Sequence, residues 1–178
     1  MVEPRVVART EQQYVGITKV ITMKTFDVVA DRIPELFGWL GAHGLPATQA
    51  PFLRFNVIDM ARELEVEAGV PIAAEVSAAA AEAAAAGEAA GAAGDAVFVG
   101  SLPAGDYVSA THVGHPDELV GVTAEVLSWA AGQGLTWDAW ETPAGTAWGC
   151  RLTVTKTNPA LEPDPNKWET ELLFRLAD

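Results

Sequence analysis

The sequence predicts an α+β protein built from two pseudo-symmetric copies of one strand–helix–strand–strand unit. Three matches in the same order carry that prediction. Phe37–Leu45 returns as Leu127–Leu135, Tyr14–Thr18 has its counterpart in Tyr107–Thr111, and Leu64–Glu67 is echoed by Trp168–Glu171. Ordered self-similarity of this kind marks a duplicated supersecondary unit.

The elements follow in order. Strands are expected at Gln13–Thr22, Pro51–Ile58, Glu63–Gly69, Val97–Leu102, Asp106–Val113, Trp148–Lys156 and Lys167–Leu176, from their β-branched and aromatic content. Between the first two, Val29, Ile33, Leu36, Phe37 and Leu40 recur at helical spacing. Pro34 falls inside that pattern, so the helix either kinks or properly begins there. In the second copy Leu119, Val122, Val126 and Leu127 form the matching stripe. Both helices end on glycine and leucine, Gly44-Leu45 and Gly134-Leu135, as a left-handed C-terminal cap requires. Pro103-Ala104-Gly105 suits a hairpin between the strands that flank it. Thr157–Asn166 holds three prolines and reads as a loop.

The first repeat spans about 5–72 and the second about 97–177. Between them, residues 73–96 are mostly alanine, interrupted by glycine and glutamate, with no stripe of large apolar residues to anchor a helix. A flexible tether is expected, with a short helix at Ser77–Ala86. The whole chain is one domain.

Composition excludes several functions. The 178 residues carry a formal charge of −13, which phosphate backbones repel, so direct nucleic-acid binding is not expected. The longest apolar run is broken alanine, which is no membrane span. Met1–Thr10 carries charge and lacks an apolar signal core, and Cys150, the one cysteine, can form no internal disulfide. A cytoplasmic protein is expected. No metal site is expected either: His112 and His115 are two ligands on a turn, and structural zinc needs three or four. No phosphate loop and no G-x-S-x-G elbow occurs. No cofactor is expected.

The residues resemble the GyrI-like family, whose domains occur alone and as the sensor half of AraC-type and MerR-type multidrug regulators. The resemblance rests on Pro51–Phe55, Leu64–Ile72, Leu102–Gly105, Thr111–Gly114 and Trp168–Leu172, and covers nearly all of the chain outside the alanine stretch. It departs after His112-x-Gly114, where His115-Pro116 stands in place of a Pro-Tyr pair, and at Arg175, where the family has proline. The resemblance implies an antiparallel sheet with helices on one face and a ligand cleft on the other. It also implies an aromatic pocket with a buried glutamate on the last strand, here Glu171, and Glu67 at the pseudo-symmetric position.

Alternation alone would put these glutamates in water on the open face of a one-sided sheet. The resemblance assigns that face to a cleft. Expected ligand-binding residues are therefore Glu171, Glu67, Trp140, Trp148, Phe52, Phe55, Tyr107, His112 and Trp168. Trp39 and Trp129, at matching helix positions, are expected in the core. The expected partner is a small amphipathic organic molecule, cationic and aromatic, held by a sensor or sequestering module. A separate regulator would supply any DNA-binding part. Two alternatives stay open. One is a hydrolase of reactive cyclopropane rings, with Glu171 and Trp168 central. The other is a protein-docking module of the gyrase-inhibitor kind.

Overall fold

The computed structural model describes residues 2–86, 89–90 and 95–178. Its strands are β1 (Arg5–Arg9), β2 (Gln12–Ile21), β3 (Phe52–Ile58), β4 (Leu64–Pro71), β5 (Ala89–Ala90), β6 (Asp95–Ala96), β7 (Phe98–Leu102), β8 (Gly105–Val113), β9 (Ala139–Thr142), β10 (Gly145–Trp148), β11 (Arg151–Thr155) and β12 (Glu169–Arg175). The helices are α1 (Asp27–Ala30), α2 (Arg32–Ala42), α3 (Ser77–Ala85) and α4 (Leu119–Gly132).

The main sheet is antiparallel, in the order β1-β8-β12-β11-β3-β4-β2-β7, with the β9–β10 hairpin attached to the end of β3. Read from its centre, β3-β4-β2 mirrors β11-β12-β8, which is the duplication expected. Register makes the equivalence specific. Glu67 faces Thr18 and Arg54 across the ladders, and Glu171 faces Thr111 and Val154. The helix ends match too. Gly44 has φ +65° and Gly134 has φ +69°. Leu45 N donates to Leu40 O at 2.9 Å, and Leu135 N to Ala130 O at 3.0 Å. The left-handed cap that each glycine permits fixes Trp39 and Trp129 at equivalent places.

The outermost strands close the sheet. β1 pairs with β8 from Arg5↔Ser109 to Arg9↔Gly105, and β2 pairs with β7 from Gln12↔Leu102 to Gly16↔Phe98. The two ladders share one register. β1–β2 and β7–β8 thus act as two long strands that cross between the repeats, each bent once, at Thr10–Glu11 and at Pro103–Ala104. The hairpin expected at Pro103 is therefore corrected: β7 and β8 do not pair with each other. Proline supplies no ladder N–H, and the bend is held by side chains. Tyr107 Oη donates to Pro103 O at 2.6 Å, and the Arg175 guanidinium donates to Ala104 O at 2.8 and 3.1 Å. The strand expected at Trp148–Lys156 is split at Gly149–Cys150 for a related reason. β10 and β11 both pair with β3 but lie on either side of its bulge near Asn56, in different registers.

Alternation gives the sheet two apolar faces. The outer face carries the helices. Val15, Ile17, Val66, Ala68 and Val70 pack under α1 and α2 with Leu36, Trp39 and Leu40, and Val108, Ala110, Leu172 and Phe174 pack under α4 with Val122 and Val126. The inner face encloses Tyr14, Phe52, Leu102, Tyr107, Cys150, Leu152, Val154 and Leu173. The first helix breaks at Asp31 rather than bending. Pro34 then sits in the first turn of α2, where its missing N–H has no helical partner to lose.

The short helix expected at Ser77–Ala86 is present over Ser77–Ala85, and the expectation that this stretch is a flexible tether is corrected. This stretch is helix α3, docked on the first core through Ala80, which is 0% exposed, with Val76, Ala83 and Ala84 beside it. Alanine can bury a face by close approach without large side chains. Residues 87–88 and 91–94 of the expected tether lie outside the described residues. No helix among those described is long and apolar enough to cross a membrane.

The docked helix predicts a contrast. Ala80→Asp would place an unpaired charge in the core and should lower stability by about 2–4 kcal/mol. Ala79→Asp, on the exposed side of the same turn, should change it by less than about 0.5 kcal/mol. Urea unfolding of the two variants measures both, and equal effects would mean α3 is not docked.

Candidate functional site

Both glutamates point to the inside of the closed sheet, and the two repeats treat them differently. Glu67 is 7% exposed. Its Oε1 accepts from the Tyr14 hydroxyl and its Oε2 from Asn56 Nδ2 at 2.5 Å. The Tyr14 ring is seated by its neighbours: Phe52 meets it edge-on at 5.1 Å between centroids, and Gly100 leaves room where a Cβ would come within 2.6 Å of Tyr14 Cζ. Arg54 closes the cluster. It donates to Tyr14 Oη at 3.1 Å, Ser101 O at 3.3 Å and Gly149 O at 2.8 Å. Glu67 lines neither of the two cavities described below.

In the second repeat the counterparts change. Register places Val154 where Arg54 stands and Ser109 where Gly16 stands, and Tyr107 turns its hydroxyl to Pro103 instead of to the glutamate. Ser109 Oγ donates to Glu171 Oε2 at 2.6 Å, and Lys156 Nζ lies 3.1 Å from Oε1. Without an arginine to fill it, a cavity of about 160 Å³ stays open. Phe52, Leu102, Leu152, Val154 and Leu173 form its apolar wall, and Glu171, Lys156, Arg9, Gln12 and Gln49 its polar rim. The walls come from both repeats. A second, wider depression of about 410 Å³, lined by Val2, Glu3, Arg5, Ser109 and Thr111, shares Ser109 with the Glu171 cluster.

Of the nine residues singled out from sequence, Glu171 and Phe52 line the cavity, and Glu67 and Tyr107 lie on the same inner face. The other five lie elsewhere. Phe55 is on the helix side, edge-on to Phe26. Trp148 is buried on that side with Trp137 and Phe174. Trp140 is 54% exposed on β9. His112 Nε2 lies 3.6 Å from Glu118 Oε1. Trp168 donates its indole N–H to Glu162 O at 2.7 Å. Among the described residues no cluster of His, Cys, Asp and Glu is arranged to hold a metal ion.

Sequence reasoning passed over Lys156, although Leu152, Val154 and Lys156 alternate onto one face and signal it. It also passed over Arg9, at the end of β1, and Gln12, which begins β2 one residue before the strand expected at Gln13–Thr22. Phe55 and Trp148 do form an aromatic cage, but the chain's own cation fills it. The Arg151 guanidinium lies 4.4 Å from the Phe174 ring centroid, 4.9 Å from Trp148 and 6.0 Å from Phe55. Burial pulls its pKa down to about 10, which leaves it charged at neutral pH.

A model of the GyrI-like small molecule binding domain matches residues 2–177. No curated protein matches the chain. Among solved structures, the C-terminal domain of EcmrR superposes with a TM-score of 0.71 at 14% identity, over 100% of this chain and 99% of that one. EcmrR in its complex with DNA gives 0.69 at 14% identity over 99% of this chain, which spans only 58% of EcmrR's length there. A Listeria innocua protein named a hydrolase gives 0.64 at 16% identity, covering 98% of this chain and 92% of that one. SAV2435 bound to tetraphenylphosphonium gives 0.54 at 11% identity, covering 98% and 94%. At these identities the structures share the fold.

Two predictions follow from the inner face. Glu67→Gln puts an amide N–H against a donor in a closed cluster and should cost about 1–3 kcal/mol. Glu171→Gln, whose partner Lys156 is half-exposed, should cost less than about 1 kcal/mol. Denaturant unfolding of both variants checks the order.

The second prediction concerns the chain's two tyrosines. Both hydroxyls titrate well above their usual value of 10.0. Burial is the main cause for each, aided at Tyr14 by the Glu67 carboxylate and at Tyr107 by Cys150. Below pH 10 folded and unfolded chains both keep these protons. Above it the unfolded chain releases them first, so stability falls as pH rises. At pH 11 a free tyrosine is roughly nine-tenths ionised, yet the folded protein should show almost no phenolate absorbance at 295 nm. Both tyrosines should then ionise together as the protein unfolds.

Proposed function

The chain belongs to the GyrI-like small molecule binding domain family, and from that premise we propose that it binds a small organic cation with an aromatic or aliphatic body in the cavity beside Glu171, as a sensor or sequestering module. The observation that carries this reading is one carboxylate, Glu171, at the edge of a cavity that has an apolar wall and a polar rim including Arg9 and Lys156, its walls drawn from both repeats. An ionised carboxylate at an apolar wall selects a ligand with a cationic head and a greasy body. Its field is screened less there than at the open surface. The chain's charge of −13 draws cations toward it. SAV2435, with the same fold, is bound to a lipophilic cation in its solved structure.

Volume limits the ligand. A dry cavity near 150 Å³ admits a molecule about the size of benzene, so the space beside Glu171 fits a body of that size. Larger ligands need the rim of Gln49, Gln12 and Lys156 to part. Ring-opening hydrolysis would require Trp168 to share a substrate with Glu171. Trp168 is not among the residues lining the cavity, and its indole N–H is committed to Glu162. The geometry therefore favours binding.

The test is a matched pair of ligands. Phenyltrimethylammonium should bind, and Glu171→Gln should weaken it by about 1–3 kcal/mol, roughly 5- to 150-fold. The neutral isostere tert-butylbenzene should lose much less. Titration calorimetry or ligand-observed NMR reads both. Equal losses would mean that Glu171 shapes the site without recognising charge.

A further inference from the structure

Glu171 is already paired, and its pairing is uneven. Oε2 is held by Ser109 Oγ at 2.6 Å, a short side chain fixed on β8. Oε1 faces Lys156 Nζ at 3.1 Å. Lys156 follows the last residue of β11, and its side chain is 42% exposed, against 13% for Glu171. Its ammonium lies at the rim of the cavity that the glutamate serves.

The first repeat shows what a permanent arrangement looks like. Two residues on from Arg54 and Val154 along the chain, Asn56, in the bulge of β3, and Lys156, just past β11, each meet their own repeat's glutamate. Asn56 holds Glu67 at 2.5 Å with a short, neutral amide, and Arg54 fills the remaining space. The second repeat replaces the fixed amide by a cation on a long flexible stem, and the space-filling arginine by valine. A four-carbon stem lets the ammonium reach the carboxylate and, when released, swing into water, where it is strongly hydrated.

We propose that Lys156 is a tethered counter-ion: it occupies Glu171 while the cavity is empty and is displaced by the cationic head of the ligand. The inference rests on the reading of the cavity as a cation site. It makes Lys156 a specificity-determining residue. A ligand must outbid an ammonium held at high local concentration, so weakly charged or poorly fitting amines are turned away. It also gives binding a structural signal, the release of the Lys156 side chain.

Removing the tethered ammonium should tighten binding. Lys156→Met and Lys156→Gln should bind phenyltrimethylammonium about 5- to 20-fold more tightly than wild type. Lys156→Arg, which keeps the charge and can grip the carboxylate with a two-pronged fork, should bind the cation no more tightly than wild type. Tert-butylbenzene should bind all four proteins alike. In wild type, adding phenyltrimethylammonium should speed reaction of Lys156 with an amine-modifying reagent, read by peptide mass spectrometry against Lys24 as an internal reference.

The outcomes separate the two ideas. If wild type binds the cation in a Glu171-dependent way, but the neutral variants bind it no better and Lys156 reactivity is unchanged, the tethered counter-ion is overturned and the cation site stands. If neither wild type nor Lys156→Met binds the cation, both fall. Both fall also if benzoate binds wild type and is lost in Lys156→Met, because the cavity then serves anions.

Discussion

The crossed ladder of β1–β2 against β7–β8 gives this protein an inside. Without it the two repeats would meet only along β3, through β11 and β10, in an open sheet whose second face met water. With one register running from Arg5↔Ser109 to Gly16↔Phe98, the ends of the sheet are tied together and the face opposite the helices is enclosed. Everything on that face then obeys the rules of burial. Tyr14, Phe52, Tyr107 and Cys150 pack as core, and each polar group there needs a partner.

That demand falls hardest on the paired glutamates. A duplicated sequence brings one carboxylate from each repeat to the inner face, and neither can stay there unpartnered. The first repeat answers with Tyr14, Asn56 and Arg54, all committed to the cluster, and Arg54 also ties β3 to the carbonyl of Gly149 in the second half. The second repeat answers with one short fixed donor and one long mobile cation. The difference arises from a few changes between the repeats: Gly16 to Ser109, Arg54 to Val154, and Asn56 to Lys156. A pseudo-twofold protein thus acquires one structural site and one open site from a single plan.

Much of this plan was legible in the sequence, because duplication signals itself by order rather than by any one motif. Trp39 and Trp129, the glycine caps, and the pairs Glu65–Glu67 and Glu169–Glu171 fixed the repeats and placed both carboxylates on equivalent strands. Pairing between strands was not legible. Pro103-Ala104-Gly105 has the composition of a hairpin turn and is a bend, because the choice is made by Arg175 and Tyr107 binding the carbonyls there. Aromatic composition also misled. Trp148 and Phe55 are suited to a cation, but register sends them to the helix side, where Arg151 meets them. The docking of helix α3, though not its existence, escaped the pattern because its contact is made by small side chains, and hydropathy patterning weights large ones.

The cations of the inner and central regions divide by chemistry in a way that bears on the open site. Arg54 is held by two carbonyls and a phenol, Arg175 by Ala104 O and two aspartates, and Arg151 by three aromatic rings. Each arginine presents a planar fork that several fixed acceptors, or flat rings, engage at once, so none leaves without breaking several contacts together. The cation facing Glu171 is a lysine. It makes one contact, carries its charge at a point, and regains full hydration when it lets go. Arginine at position 156 would have pinned the carboxylate as Arg54 helps to pin the Tyr14–Glu67 cluster. Lysine pairs the carboxylate enough to tolerate its partial burial and leaves that pairing open to exchange, which is the property a binding site for a competing cation requires.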